Sequence, residues 1–149
     1  MLGQLNEIQI NNLLISQSIG RLGCINGKHP YIVPVTYAFD GNDIYGQIRE
    51  GMKLEVMRKN PNVCFQVDMI NNMVNWQSAI ITGIFQELKG KEAIKARDHL
   101  YNKVMPLMTS STIHAHEHAV SGKIDESNRI KPVMYKIRIK EKSGRFEKQ

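Results

Sequence analysis

The sequence predicts a mainly β protein of α+β class, an antiparallel β-barrel of about six strands with two or more flanking helices. Three observations predict it. Turn-forming dipeptides recur at short intervals through the first half of the chain. The apolar residues between them alternate with period two, and only two stretches carry a helical period instead.

The elements follow in order. Residues 22–25 are apolar and end at Asn26-Gly27, a hairpin dipeptide because both residues tolerate positive φ. Residues 31–39 form the next strand, with Tyr31, Val33, Val35, Tyr37 and Phe39 on one face. Pro34 has no N–H for a ladder, so it marks an edge, a bulge or the approach of a ligand to the backbone. The turn cluster Asp40-Gly41-Asn42-Asp43 leads into a third strand at 44–48. Residues 51–60 read as a helix with Leu54 and Met57 on one side, stopped by Asn60-Pro61. A strand at 63–68 points Val63, Phe65 and Val67 one way and Gln66 and Asp68 the other. A longer strand at 78–88 carries Gly83 as a bulge or close-approach point. Ala93, Ala96, Leu100 and Val104 set a helical face over 91–105, ended by Pro106. Residues 109–131 have no sustained period and read as a long loop, a kind of segment that carries function in compact domains. Last comes a strand in which Val133, Tyr135, Ile137 and Ile139 alternate with Met134, Lys136, Arg138 and Lys140. No fixed-period repeat or linker divides the chain, so residues 1–149 are expected to form one domain.

Composition narrows the class. With 149 residues, 42% of them hydrophobic and 23% charged, the chain suits a domain with a real core and excludes collagen-like, disordered and disulfide-stapled classes. Cys24 and Cys64 lie in apolar stretches without CxxC spacing and read as small buried hydrophobes in a reducing compartment. No basic residue precedes Arg21, and no run approaches the ~20 apolar residues of a membrane span. A cytoplasmic protein without membrane contact is the expectation. The net charge is +6, and the segment 111–149 holds nine Lys/Arg against five Asp/Glu. That surplus suits an anionic partner, nucleic acid or a phosphorylated small molecule, or simply a solvated strand face. Against nucleic acid, Tyr135 points away from Lys136, Arg138 and Lys140, so aromatic and basic groups do not interleave on one face.

Arg49 directly precedes Gly51-Met52-Lys53, which opens a helix. Unpaired N–H groups at a helix start, with two cations close by, suit a phosphate. His114, His116 and His118 share a face if extended, and stand either as metal ligands, as pocket lining or as plain surface. Walker A, GxGxxG, GxSxG and HExxH patterns are absent, and Ser110, Ser111 and Thr112 have no evident base, so hydrolytic chemistry has no support. Trp76, the only tryptophan, sits just before the strand at 78–88, where it closes over a planar ligand, fills an interface or joins the core.

The segments Gly20-Arg21-Leu22-Gly23-Cys24, Pro30-Tyr31-Ile32-Val33-Pro34-Val35-Thr36-Tyr37, Ile44-Tyr45-Gly46, Gly51-Met52-Lys53 and Asn60-Pro61-Asn62-Val63-Cys64-Phe65 occur in that order. In this arrangement the chain resembles the pyridoxamine 5′-phosphate oxidase-like, FMN-binding split-barrel family, and within it the nitroimidazole-resistance-type branch. The resemblance runs from Gly20 to Glu147. It implies a six-stranded antiparallel split β-barrel and a homodimer with FMN at the subunit interface. It implies further that Pro34, Val35, Thr36 and Tyr37 run along the flavin and its ribityl chain, continued by Gly46, Gln47, Ile48 and Arg49. Lys53 would meet the phosphate, Trp76 and Ser78 would approach the cofactor from the second subunit, and His118 would face the flavin from a variable loop. Gln47-Ile48 stands where many relatives carry a His-Ser-like pair, and the vitamin-gripping residues of a true pyridoxamine phosphate oxidase are not recognisable, so vitamin B6 synthesis is not implied. The implied function is an FMN-dependent reductase of small organic compounds, nitroaromatics included, fed by a small-molecule electron donor. The alternatives are a non-catalytic flavin carrier or sensor and, behind it, a basic nucleic-acid-binding barrel. Tyr37 and His118 are the first side chains to consider as acids or bases.

Overall fold

The computed structural model describes residues 1–108 and 132–149. Its elements are β1 (Leu2–Gln4), α1 (Glu7–Ser16), β2 (Ile19–Asn26), β3 (His29–Phe39), β4 (Asp43–Arg49), α2 (Met52–Lys59), β5 (Asn62–Asn72), β6 (Asn75–Glu87), α3 (Gly90–Met108) and β7 (Pro132–Glu147). All strand pairs are antiparallel, in the order β1-β7-β4-β3-β2-β5-β6, and β6 returns to β7. Strands β2 to β7 thus close a six-stranded ring, and β1 adds a short flap on the far end of β7. Among the described residues no helix is long and apolar enough to cross a membrane.

The turns form where their residues demand. Gly27, at φ 63°, lets β2 fold straight back onto β3. At the β3–β4 turn the Asp40 carboxylate accepts the N–H groups of Asn42 and Asp43 and the Tyr45 hydroxyl, at 2.8, 2.7 and 2.8 Å.

Inside the ring, Leu22, Tyr37, Ile44, Phe65, Val67, Ile81 and Ile137 are fully or almost fully buried. The inward face of β7 changes parity partway along. Thr82 lies opposite Glu141 and Gly83 opposite Ile139, so Lys140 is an extra residue, a β-bulge. Odd-numbered residues from Val133 to Ile139 face inward before it, and the half-buried Lys142, Gly144 and Phe146 do so after it. A Cβ at Gly83 would come within 2.5 Å of the Arg138 carbonyl oxygen, so glycine lets the two strands close over the bulge.

The helices cover what the ring leaves open. α1, absent from the sequence expectation, buries Ile10, Leu13 and Leu14 and begins in a capping box between Asn6 and Gln9. α3 packs Ala96 and Leu100 onto Ala38, Leu88 and Met134 outside the ring. Met134 is therefore buried rather than part of a solvated face. Pro106 lies inside α3 instead of ending it, because a proline in the last turns removes only one intrahelical bond. Cys64 is exposed while Cys24 is buried, since the neighbours Val63 and Phe65 take the inward positions of β5.

Gly83→Ala is expected to destabilise the chain by about 1–3 kcal/mol through overpacking against fixed backbone. Gly51→Ala, with only the Arg49 carbonyl oxygen at 4.0 Å, should fall within about 0.5 kcal/mol of the parent. Urea unfolding of the two variants checks the contrast.

Candidate ligand-binding site at the barrel opening

The β3–β4 ladder has only the rungs Tyr37↔Gly46, Ala38↔Tyr45 and Phe39↔Ile44. Beyond Tyr37 and Gly46 the strands part, β3 staying with β2 and β4 with β7. Pro34 lies on this parted edge of β3, which carries no β4 ladder for a missing N–H to break.

A cavity of about 130 Å³ occupies the opening. Val33, Pro34 and Val35 line it from β3, Gln47 and Ile48 from β4, Lys53 and Met57 from α2, Leu22 and Cys24 from β2, and Tyr135 from β7. Five residues singled out from the sequence, Pro34, Val35, Gln47, Ile48 and Lys53, therefore meet in one place. Gly46 stands at the last rung, where any Cβ would overlap the Tyr135 phenol. Arg49 is exposed at the end of β4, just ahead of α2.

The electrostatics of the opening favour an anion. No side chain caps the first turn of α2, so its leading N–H groups are left for a ligand. Neither Arg49 nor Lys53 joins an ion pair among the described residues. Burial and the neighbouring Cys64 push the Cys24 thiol up, against the pull of the Lys53 cation, so Cys24 stays protonated. Tyr135 is fully buried, and its hydroxyl is the one buried side-chain polar atom without a hydrogen-bond partner among the described residues. Nothing in the sequence pattern separates Tyr135 from an ordinary core residue of an alternating strand.

The remaining sequence candidates are placed elsewhere. Thr36 is exposed on β3 opposite Ile19. The Tyr37 ring lies in the core, edge-on to Phe65 at 4.9 Å, and its hydroxyl donates to the Leu14 carbonyl at 2.7 Å. Burial also pushes that phenol well above its ordinary value, so the side chain is a structural tie to α1 rather than an acid or base. Lys103 reinforces the tie, donating to the Gln17 carbonyl at 2.6 Å above the Tyr37 ring. Trp76 and Ser78 line a separate groove on the sheet exterior with Gln4, Ile80 and Arg145. There Trp76 donates to Glu147 at 3.2 Å, and Ser78 accepts from Gln66 at 3.0 Å. His114, His116 and His118, and the loop expected at 109–131, lie outside the described residues.

Helix α2 is held in place from both sides. Leu54 and Met57 are buried beneath it. Arg58 donates to both oxygens of Glu87 on β6, at 3.0 and 2.9 Å, and also to Glu50 and Glu55. This brace fixes where Lys53 stands. A second cavity, about 380 Å³, lies beside α3 and is lined by Asp40, Tyr45, Glu92, His99 and Lys136. Its Asp40 already has three donors within the chain.

A family model described as pyridoxamine 5′-phosphate oxidase matches residues 7–146. The chain belongs to this family. Among solved structures, a FAD-binding protein from Mesorhizobium loti superposes with TM-score 0.79 at 26% identity, covering 100% of this chain and 98% of that one. A FAD and heme binding protein from Mycobacterium smegmatis gives 0.73 at 13% identity, over 98% of this chain and 74% of the other. A candidate 5-nitroimidazole antibiotic resistance protein from Bacteroides thetaiotaomicron gives 0.69 at 14%, over 98% and 89%. An uncharacterized protein of Rhizobium meliloti is 36% identical over 80 residues, 54% of this chain. That match spans about half of the relative's length, 53%. The fold is thus the split barrel of this family, with β1 and α1 as additions to the elements expected from sequence.

Hydrogen bonds from Arg58 hold the Glu87 carboxyl below its usual range, against the opposing effect of partial burial. A depressed folded value means the brace stabilises above the ordinary glutamate range and is lost as pH falls through the lowered one. Amide-exchange protection of α2 is expected to fall between about pH 7 and about pH 3. Arg58→Ala should already show the lower protection near neutral pH and change less on acidification.

Proposed function

We propose that this chain is a flavoprotein that binds FMN at the β3–β4 opening and uses it to reduce small organic compounds, nitroaromatics among them. The observation that carries this reading is the convergence of Pro34, Val35, Gln47, Ile48 and Lys53, which meets no carboxylate among the described residues, on one cavity. The residues present fit the phosphorylated end of a flavin. Lys53, from the uncapped first turn of α2, and Tyr135, whose buried hydroxyl is unpartnered among the described residues, line a space of about 130 Å³. That is far below the roughly 300–1,000 Å³ of a whole small-molecule pocket, so it seats one part of the ligand only.

The remainder of the ligand lies along the open edge of β3, past Thr36, with Tyr37 and Gly46 setting the end of the slot. A second copy of the chain brings Trp76 and Ser78 to the cofactor, and His118 faces the flavin. Exposed Ile19, Ile32, Ile70, Met73 and Ile80 support such a homodimer, since they offer apolar surface to a partner. The free thiols of Cys24 and Cys64 favour a reducing compartment, the cytoplasm.

When bound, the flavin supplies the redox chemistry. The chain's own residues position it: Lys53 and Arg49 hold the phosphate, and Val33, Val35, Leu22 and Ile48 keep water from the inner wall. The FAD-binding relative from Mesorhizobium loti supports a second form of the reading, with FAD as the cofactor. FAD shares the flavin and its first phosphate with FMN, so the same cavity serves both.

Titration of the purified chain with FMN, FAD and riboflavin, followed by flavin absorbance and fluorescence, tests the reading. FMN is expected to bind most tightly, and Lys53→Gln to weaken it by about ten- to a hundredfold through loss of a charged hydrogen bond. No uptake of any flavin contradicts the proposal. Uptake without turnover of reduced nicotinamide by several acceptors identifies a carrier or sensor instead of a reductase.

A further inference from the structure

We propose that the Tyr135 hydroxyl is a hydrogen-bond donor to the phosphate end of the cofactor, acting beside Lys53 from the floor of the β3–β4 cavity. This rests on the flavin reading above and adds to it a recognition residue from the opposite end of the chain.

Tyr135 and Lys53 line the same cavity. The Tyr135 ring is fully buried, yet its oxygen finds no partner among the described residues. An unmet buried hydroxyl is costly, and phenylalanine would fill the same core volume without that cost. The hydroxyl is therefore useful only to something that enters the cavity.

Its position is set by packing rather than by a protein hydrogen bond. The ring rests on Gly46, which has no room for a Cβ, and tilts against Phe85 with centroids 5.2 Å apart. Such a group is held in place ahead of a ligand, which meets it once the side chains that close it from solvent give way. Gln47 accepts from the Tyr101 hydroxyl at 2.9 Å through its side-chain oxygen, which turns its amide N–H groups into a further donor set beside Tyr135 and Lys53, whereas the Cys24 thiol is a weak donor. Burial pushes the Tyr135 phenol well above its ordinary value, so it keeps its proton and donates.

The cavity is too small for a whole flavin, and its lining supplies donors and a cation, with no carboxylate. An anionic oxygen cluster the size of a phosphate is the group these features select.

The test compares the parent chain with Tyr135→Phe in two measurements. Thermal unfolding without ligand should show the variant as stable as the parent or more so, because an unpaired buried hydroxyl is removed. Flavin titration should show FMN bound about tenfold or more weakly by the variant, with riboflavin, which lacks the phosphate, bound equally by both. A double variant with Lys53→Gln should lose less than the two single losses combined, as expected of donors sharing one group. Undiminished FMN binding by Tyr135→Phe overturns this inference while leaving the flavin reading intact. An equal loss for riboflavin also overturns it, since the contact would then lie away from the phosphate. Failure of the parent chain to bind any flavin overturns both. Should Tyr135→Phe melt well below the parent, its hydroxyl has a partner within the protein and the inference fails.

Discussion

The pairing of β7 with β4 along one edge and with β6 along the other closes the sheet, and the remaining architecture follows from that closure. A ring of six strands must be sheared, so its strands cannot pair along their whole lengths on both sides. Here the shear is concentrated in two places. The extra residue at Lys140 re-aims the inward face of β7, and glycine at Gly83 permits the approach. Between β3 and β4 the ladder stops at Tyr37 and Gly46, and the strands diverge around a cavity. The opening is a consequence of how the ring closes, and it leaves backbone edge, apolar wall and cationic helix start facing the same small space.

Arg21, Arg58, Lys136 and Lys142 each meet a carboxylate, at distances from 2.8 to 3.9 Å. Most other cations of the described residues, Arg49 and Lys53 among them, meet none. Exposed pairs of this kind contribute little to stability. What sets Arg49 and Lys53 apart is their place at the start of α2, beside the opening. The Arg58 brace holds α2 and thereby sets the place of Lys53. Tyr37 and Lys103 tie α1 to the inner wall. The two aromatic hydroxyls in the core thus differ: Tyr37 bonds to a carbonyl, whereas Tyr135, a residue of the cavity lining, has no partner for its hydroxyl among the described residues.

Much of the ring was legible because strands between tight turns are local objects. Asn26-Gly27 and Asp40-Gly41-Asn42-Asp43 mark their hairpins, and the parity of Val63, Phe65 and Val67 carries through to the observed burial. Gly83 was legible as a bulge point. α1 was not, because Asn11 and Asn12 break its apolar face and Ile8 and Ile15 point to solvent; the Asn6–Gln9 capping pair was the signal that marked it. Buried Met134 and exposed Cys64 show the limits of counting apolar neighbours: a helix covers one, and strand parity turns out the other. At the candidate site the Arg49–Lys53 junction is contiguous and could be seen. The Tyr135 hydroxyl could not, since its cavity is assembled from β2, β3, β4, α2 and β7, and only their juxtaposition shows it unpartnered.

A crystal structure of the chain grown with FMN tests the central claim most directly. The account predicts phosphate density at the β3–β4 opening, within hydrogen-bonding distance of the Lys53 ammonium and the Tyr135 hydroxyl. Phosphate density in the cavity beside α3 at Tyr45 and His99, or on the exterior groove at Trp76 with the β3–β4 opening filled by side chains, would contradict it.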